Sequence, residues 1–375
     1  MIGRQWLPLG VALVACLVGL QNSFAATLLK AVRETPNGAA VLPQIQKVVE
    51  ENITKLTSGD ASAISEAREA LVSEVSPGGP NPATPTAAFL DAYAGEVNTR
   101  LLSLATSKDF HVRLNATIVA ARVAEKANNA RLVPAVVALL SDSNDSVVLW
   151  ALKASRFLMG PVLGAPGAKN SPLMPAFLAV ANKYAKSGPM TQSAYEALRG
   201  VQGPTPVPMA FPAAVEATQK VLQARLEIYQ KEMPDMAFAE TAATQFLSDE
   251  KIWKSQGQAL QLQSMQVIVD LTTLAAERMA GADSQKRGEM AKVINREGAA
   301  ITVIGQWTGN KELENLGKTL IGINAGNAQP DIMIKVNAVL PAVKKIPQFK
   351  NLRDIREAAA NPQAKPATAP ARSPD

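Results

Sequence analysis

The chain has 375 residues, of which 47% are hydrophobic, 19% charged and 5% aromatic, with a formal net charge of +6. One cysteine, Cys16, and one histidine, His111, exclude a disulfide framework and any zinc or iron site built from several His and Cys ligands. No run of Lys or Arg exceeds two, so the concentrated positive charge of a nucleic-acid binder is missing, and no cofactor-binding pattern takes its place.

Arg4 precedes a run over residues 6–20 made only of apolar residues, glycine and one proline, the layout of a secretory signal. A spanning helix needs about 20 apolar residues, so this run is short for one. Small residues at Ser23 and Ala25 place signal-peptidase cleavage between Ala25 and Ala26. The mature chain would then be an exported protein, periplasmic or secreted. A competing reading takes Leu13-Val14-Ala15-Cys16 as a lipobox with lipidation at Cys16. Against it, the apolar run continues through Leu17, Val18 and Leu20. Membrane contact is expected only if Cys16 is lipidated or the signal is retained.

After the signal, at residues 1–25, helical spacing dominates and the expected fold class is all-α. A hairpin is read at 26–76, one helix carrying Ile45, Val48, Val49, Ile53 and Leu56 and a second running from Asp60 through Leu71, with Gly59 and Asp60 as stop and cap. Pro/Gly-rich linkers are read at 77–85 and 203–211. Between them, residues 86–202 hold an internal repeat. Laid over each other at an offset of 35, Leu101, Leu102 and Leu104 fall on Val136, Val137 and Leu139, and Val112, Leu114 and Ala116 fall on Val147, Leu149 and Ala151. A third copy follows, with Leu173, Pro175 and Val180 on Leu132, Pro134 and Leu139, after a Gly/Pro loop read at 160–172. His111 stands two residues after the cap residue Asp109 and is expected to face water in a first turn.

Leu132, Pro134, Leu139, Leu140, Asp142, Val147, Ala151 and Ala154 resemble the HEAT repeat, and Val112, Arg113, Ala116 and Val119 resemble it one unit earlier. The resemblance covers about residues 86–200. It implies a short α-solenoid of stacked helical pairs with a concave face that binds another macromolecule, and an inter-repeat ion pair between Arg113 and Asp142. Val148 and Ser107 stand at the other arginine and aspartate positions, so at most one such rung is expected.

Residues 212–346 read as an antiparallel helical bundle without a repeat. Its longest helix is expected over about 254–280, with Leu260, Val267, Leu271 and Leu274 inward and Gln263, Gln266, Asp270, Thr273 and Glu277 on a solvated face. Glu297 shares a seam with Met290, Ile294, Ile301 and Ile304, which makes it a candidate buried carboxylate, with Arg278 the nearest basic partner by pattern. Residues 347–375, rich in Pro and Ala, read as a largely disordered tail. Gly317-Lys318-Thr319 lacks the earlier glycine of a phosphate-binding loop, and Asp142-Ser143-Asn144-Asp145 lacks the glycine and closing glutamate of a calcium loop. With no catalytic constellation beside the repeat, the expected role is a scaffold or interaction module of the cell envelope with a protein partner. The alternatives are a carboxylate-dependent hydrolase of an envelope polymer and a carrier with an apolar cavity lined by Met265, Leu271 and Ile294.

Overall fold

The computed structural model describes residues 27–76, 82–203 and 205–360. The cleavage site at Ala25 and Ala26, Cys16, and residues 361–375 of the expected tail lie outside them. The protein is all-α, and among the described residues no strand occurs. Two compact units divide between Ala92 and Tyr93.

In the first unit a single turn, α1 (Lys30–Arg33), precedes the hairpin of α2 (Leu42–Leu56) and α3 (Ala61–Ser73). Gly59 takes a φ of 78°, which stops α2, and the Asp60 side chain accepts from the Ala63 amide at 2.8 Å to start α3. Ile45, Val49 and Leu56 bury against Ala67 and Leu71. Beside this core Glu74 accepts from the Leu28 amide at 2.8 Å and lies 3.7 Å from Arg33 Nε.

α4 (Ala87–Leu104) leads into the second unit, where α5 (Phe110–Ala127), α6 (Val133–Leu140), α7 (Asp145–Leu163), α8 (Leu173–Lys183) and α9 (Gly188–Leu198) follow. The stacking is of like on like: α6 packs on α8, while α7 packs between α5 and α9. Every third or fourth residue of α7, including Val147, Ala151, Ala154 and Leu158, is fully buried by this arrangement. Two polar contacts tie neighbouring turns together. Arg113 Nε and Nη2 donate to the two carboxylate oxygens of Asp142 at 2.5 and 3.2 Å, and the Tyr184 hydroxyl donates to Asp145 Oδ1 at 2.6 Å. Burial would raise Asp142, but hydrogen bonds from Arg113 and from the amides of Asn144 and Ser143 together hold it below the usual carboxylate range. The loop expected from residue 160 starts later, because α7 runs on to Leu163 with Pro161 inside its last turns.

The segment expected as a linker at 203–211 is pinned to the repeats. Val207 packs against Gly160 of α7 and Gly164 just after it, and its amide donates to the Val201 carbonyl at 3.0 Å. From there α10 (Phe211–Lys231), α11 (Glu240–Leu247), α12 (Glu250–Ser255), α13 (Gln258–Met279), α14 (Ser284–Trp307), α15 (Lys311–Ile321), α16 (Gln329–Asn337) and α17 (Val339–Lys344) complete the bundle, with α18 (Ile355–Ala360) last. The long helix expected over 254–280 is broken at Gln256 and Gly257, and α13 keeps only Gln263 of its expected solvated face exposed, with Gln266 and Glu277 half-buried. It is wrapped by α10, α14, α16 and the turn Pro347–Phe349, so Asp270 and Thr273 are buried. Gln266 binds the backbone of Arg353 reciprocally, donating to its carbonyl at 2.9 Å and accepting from its amide at 2.9 Å. Phe349 is fully buried against Trp253, which also meets Trp307 at 6.0 Å. The first residues of the expected disordered tail therefore belong to the core.

A buried guanidinium lies where repeats and bundle meet. Arg225 of α10 is fully enclosed and donates to Glu240 Oε1 at 2.5 Å, to the carbonyls of Ala185 and Lys186 at 2.7 and 3.3 Å, and to the carbonyl of Asp235. Tyr229 adds a hydroxyl 3.2 Å from the other Glu240 oxygen. Removing the cation would leave a buried carboxylate and orphaned carbonyls, so Arg225→Met is expected to cost about 3–5 kcal/mol in chemical denaturation. A loss below about 1 kcal/mol would show that the cluster is dispensable.

α14 and α15 approach at backbone distance. A Cβ on Gly317 would lie 2.6 Å from the Gly298 carbonyl oxygen, and one on Gly305 would lie 2.5 Å from the Glu314 amide nitrogen. This close approach is the reason for the glycine in Gly317-Lys318-Thr319. Gly317→Ala should destabilise by about 1–3 kcal/mol because both helices must part. Gly288→Ala, on α14 with open space around it, should instead stabilise by roughly 0.5–1 kcal/mol. Thermal melts of both variants check the pair, and equal shifts would refute the contrast.

Candidate functional site

The surface of the repeats that faces away from their apolar core is a continuous groove. α5 supplies Arg122, Glu125 and Lys126; α7 supplies Trp150, Lys153, Arg156 and Phe157; α9 and the 3-10 turn after it supply Ser193, Glu196 and Arg199. Helical spacing produces it, since residues 150, 153 and 157 recur at three and four positions, opposite the buried stripe of α7. Two hollows of about 710 and 230 Å³ share Glu125, Arg156, Phe157 and Glu196. Gly200 allows the 3-10 turn to sit on α7, because a Cβ there would collide with the Arg156 carbonyl. That contact sets Arg199 beside Arg156.

The groove carries five basic side chains against two acidic ones. Lys126 pairs with Glu125 at 3.0 Å, and Glu196 accepts from Gln192 at 3.0 Å. Lys153 Nζ lies 4.5 Å from the Trp150 ring centroid, and the Arg156 guanidinium lies 5.8 Å from that of Phe157. A second, shallower groove of about 890 Å³ runs between Phe238, Lys292, Asn295, Arg296 and Ile323. Burial depresses Arg296, and Arg199 adds to the effect, so the two guanidinium groups are near enough to repel.

The sites expected from sequence fall elsewhere. Arg113 and Asp142 join neighbouring repeat turns, away from the groove. His111 is exposed in the first turn of α5, its amide donating to Asp109 at 2.8 Å. Of the loop read at 160–172, only Gly160 and Pro161 border the groove. Glu297 is fully buried on α14, but Arg278 is not its partner: that guanidinium donates to the Tyr229 carbonyl. Glu297 Oε1 instead meets Thr244 Oγ1 at 2.5 Å, and Oε2 has no hydrogen-bond partner. Neither Glu297 nor the trio Met265, Leu271 and Ile294 lines any of the three hollows.

No family model and no curated protein matches the chain. Among solved structures, it is similar to two crystal structures of engineered proteins from the Northeast Structural Genomics Consortium. One is 19% identical with a TM-score of 0.35, covering 79% of this chain and 96% of its own, and the other is 17% identical with a TM-score of 0.35, covering 84% and 87%. Likeness at this level carries no argument about function.

The buried carboxylates have a measurable consequence. The Thr244 hydroxyl also lies 3.3 Å from the Glu240 carbonyl, and its single hydrogen cannot serve two acceptors. Both contacts are satisfied when Glu297 carries a proton and donates it to Thr244. Burial pushes Glu297 up to about 8 and Asp270 up to about 7, with Glu240 at about 7 despite the pull of Arg225. An unfolded carboxyl titrates near pH 4, so from there to about pH 8 the native state holds protons that the unfolded state has released. Stability therefore falls as pH rises through this window. Tm should be higher at pH 5.5 than at pH 8.5 by about 5 °C, and Glu297→Gln should shrink that gap. A Tm that rises with pH over this range, or an unchanged gap in the variant, would count against the assignment.

Proposed function

We propose that the chain is an exported helical-repeat protein of HEAT-like type, acting as an interaction module of the cell envelope and holding a protein partner in the groove of α5, α7 and α9. The observation that carries this reading is the groove itself: three helices from successive repeats contribute one continuous, largely exposed surface with two aromatic rings. Three stacked pairs are about the smallest array that buries its own core and leaves such a face free. The signal-like run at residues 6–20 supports export to the periplasm or beyond.

The test uses the full chain expressed in its own envelope, with the N-terminus of the purified product expected at Ala26. A photo-crosslinking residue placed at Arg122, in the groove, should form protein adducts. The same residue at Lys183, exposed on α8, should not. Equal labelling at both positions, or turnover of an envelope polymer with adducts at neither, would reject the reading.

A further inference from the structure

Most arginines of the second unit away from the groove are spoken for, the exceptions being the exposed Arg353, and Arg296, whose Nε is buried without a hydrogen-bond partner. Arg100 pairs with Glu96, Arg113 with Asp142, Arg225 with Glu240 and Arg356 with Asp354, while Arg278 and Arg287 donate to backbone carbonyls. In the groove the pattern changes. Arg122, Lys153, Arg156 and Arg199 make no ion pair, although they come from three helices and face one channel. Helices that fold together this closely place such charges side by side at a cost in repulsion, and an anion between them removes it.

The channel follows α7 from Trp150 to Pro161, eleven residue steps, or about 16 Å at helical rise. That is the span of roughly five residues of extended chain. Trp150 and Phe157 stand along this line with Lys153 and Arg156 between them, so a ring flanks the cations at either end. Glu125 and Glu196 on the flanking helices break the basic field. A uniform polyanion would meet both carboxylates, whereas a peptide can set a neutral or apolar side chain against each. The chain's own residues 361–375 do not suit the channel, since they carry Lys365 and Arg372 against Asp375.

We infer that the groove of α5, α7 and α9 binds an extended acidic segment of a partner protein, with its carboxylates on Arg122, Lys153, Arg156 and Arg199 and an apolar or aromatic side chain between Trp150 and Phe157. This rests on the reading of the repeats as a binding module. A partner held this way is recognised by charge spacing, and its affinity falls with salt.

The probe is a fluorescein-labelled peptide, Glu-Asp-Phe-Glu-Asp-Leu-Glu, titrated with the full mature chain and followed by anisotropy. Its Gln/Asn counterpart should bind at least about tenfold more weakly, and raising NaCl from about 50 to 500 mM should cost the acidic peptide about tenfold. Arg156→Glu combined with Arg199→Glu should lose about tenfold or more, as should Arg122→Glu combined with Lys153→Glu, with melts showing that each pair of changes leaves the fold intact. Lys183→Glu should bind as the wild type does. Equal binding of the neutral peptide, or wild-type affinity in both charge-reversed variants, overturns the inference. So does tighter competition by inorganic polyphosphate or by phosphatidylglycerol vesicles, which would assign the groove to a polyanion or a lipid surface. If crosslinks at position 122 persist when Arg156 and Arg199 are reversed, the interaction module stands and only its acidic specificity fails.

Discussion

A buried guanidinium needs acceptors for its donors, and Arg225 finds four on three separate pieces of chain. Its partners are a carboxylate on α11, the carbonyls of Ala185 and Lys186 in the turn after α8, and the carbonyl of Asp235 in the turn before α11. The rest of the second unit depends on this convergence. Gly188 at the start of α9 admits Met236 so closely that any Cβ would collide, and Met236 itself takes a φ of 46° to present the turn. A non-glycine residue holds such a backbone only when its surroundings overdetermine it. Arg225 supplies that constraint, and the repeats and bundle thereby become one body instead of two lobes on a linker.

Around this centre the interior is more polar than an all-helical core requires. Glu240, Thr244, Tyr195, Tyr229 and Glu297 are enclosed within a few turns of one another on α9, α10, α11 and α14. Only one base touches the two carboxylates, so the second is accommodated by keeping its proton. Asp270 follows the same logic against the C-terminal segment, where Gln266 donates to it at 2.8 Å and Asp354 repels its charge. The surface groove has the opposite imbalance, with cations in excess.

Much of the helical framework was readable because it rests on local rules. The caps at Asp60, Asp109 and Asn144 and the apolar spacing of α2, α5 and α7 are written in short windows of sequence. What failed needed long-range information. Asp270 looked solvated because its own helix offers no hint that α16 and residues 347–353 would cover it. Arg278 fits Glu297 by pattern, while Thr244, some fifty residues earlier, makes the contact. Arg225 did leave a trace, a charge set among Leu222, Leu226 and Tyr229 on an apolar stripe. The groove left none, since its bases sit at positions that in any single helix would simply be wet.

The contact between α14 and α15 reaches beyond stability. Where Gly298 faces Gly317 and Gly305 faces Glu314, main chain comes close to main chain, and only the short reach of Thr302 and Leu320 Cβ stands beside it. Ordinary helix pairs accommodate strain by rearranging rotamers at their interface, and this pair has little room to do so. With so little side chain between them, α14 and α15 have few rotamers to exchange, and Glu297 sits on α14 one residue before the first of these close contacts.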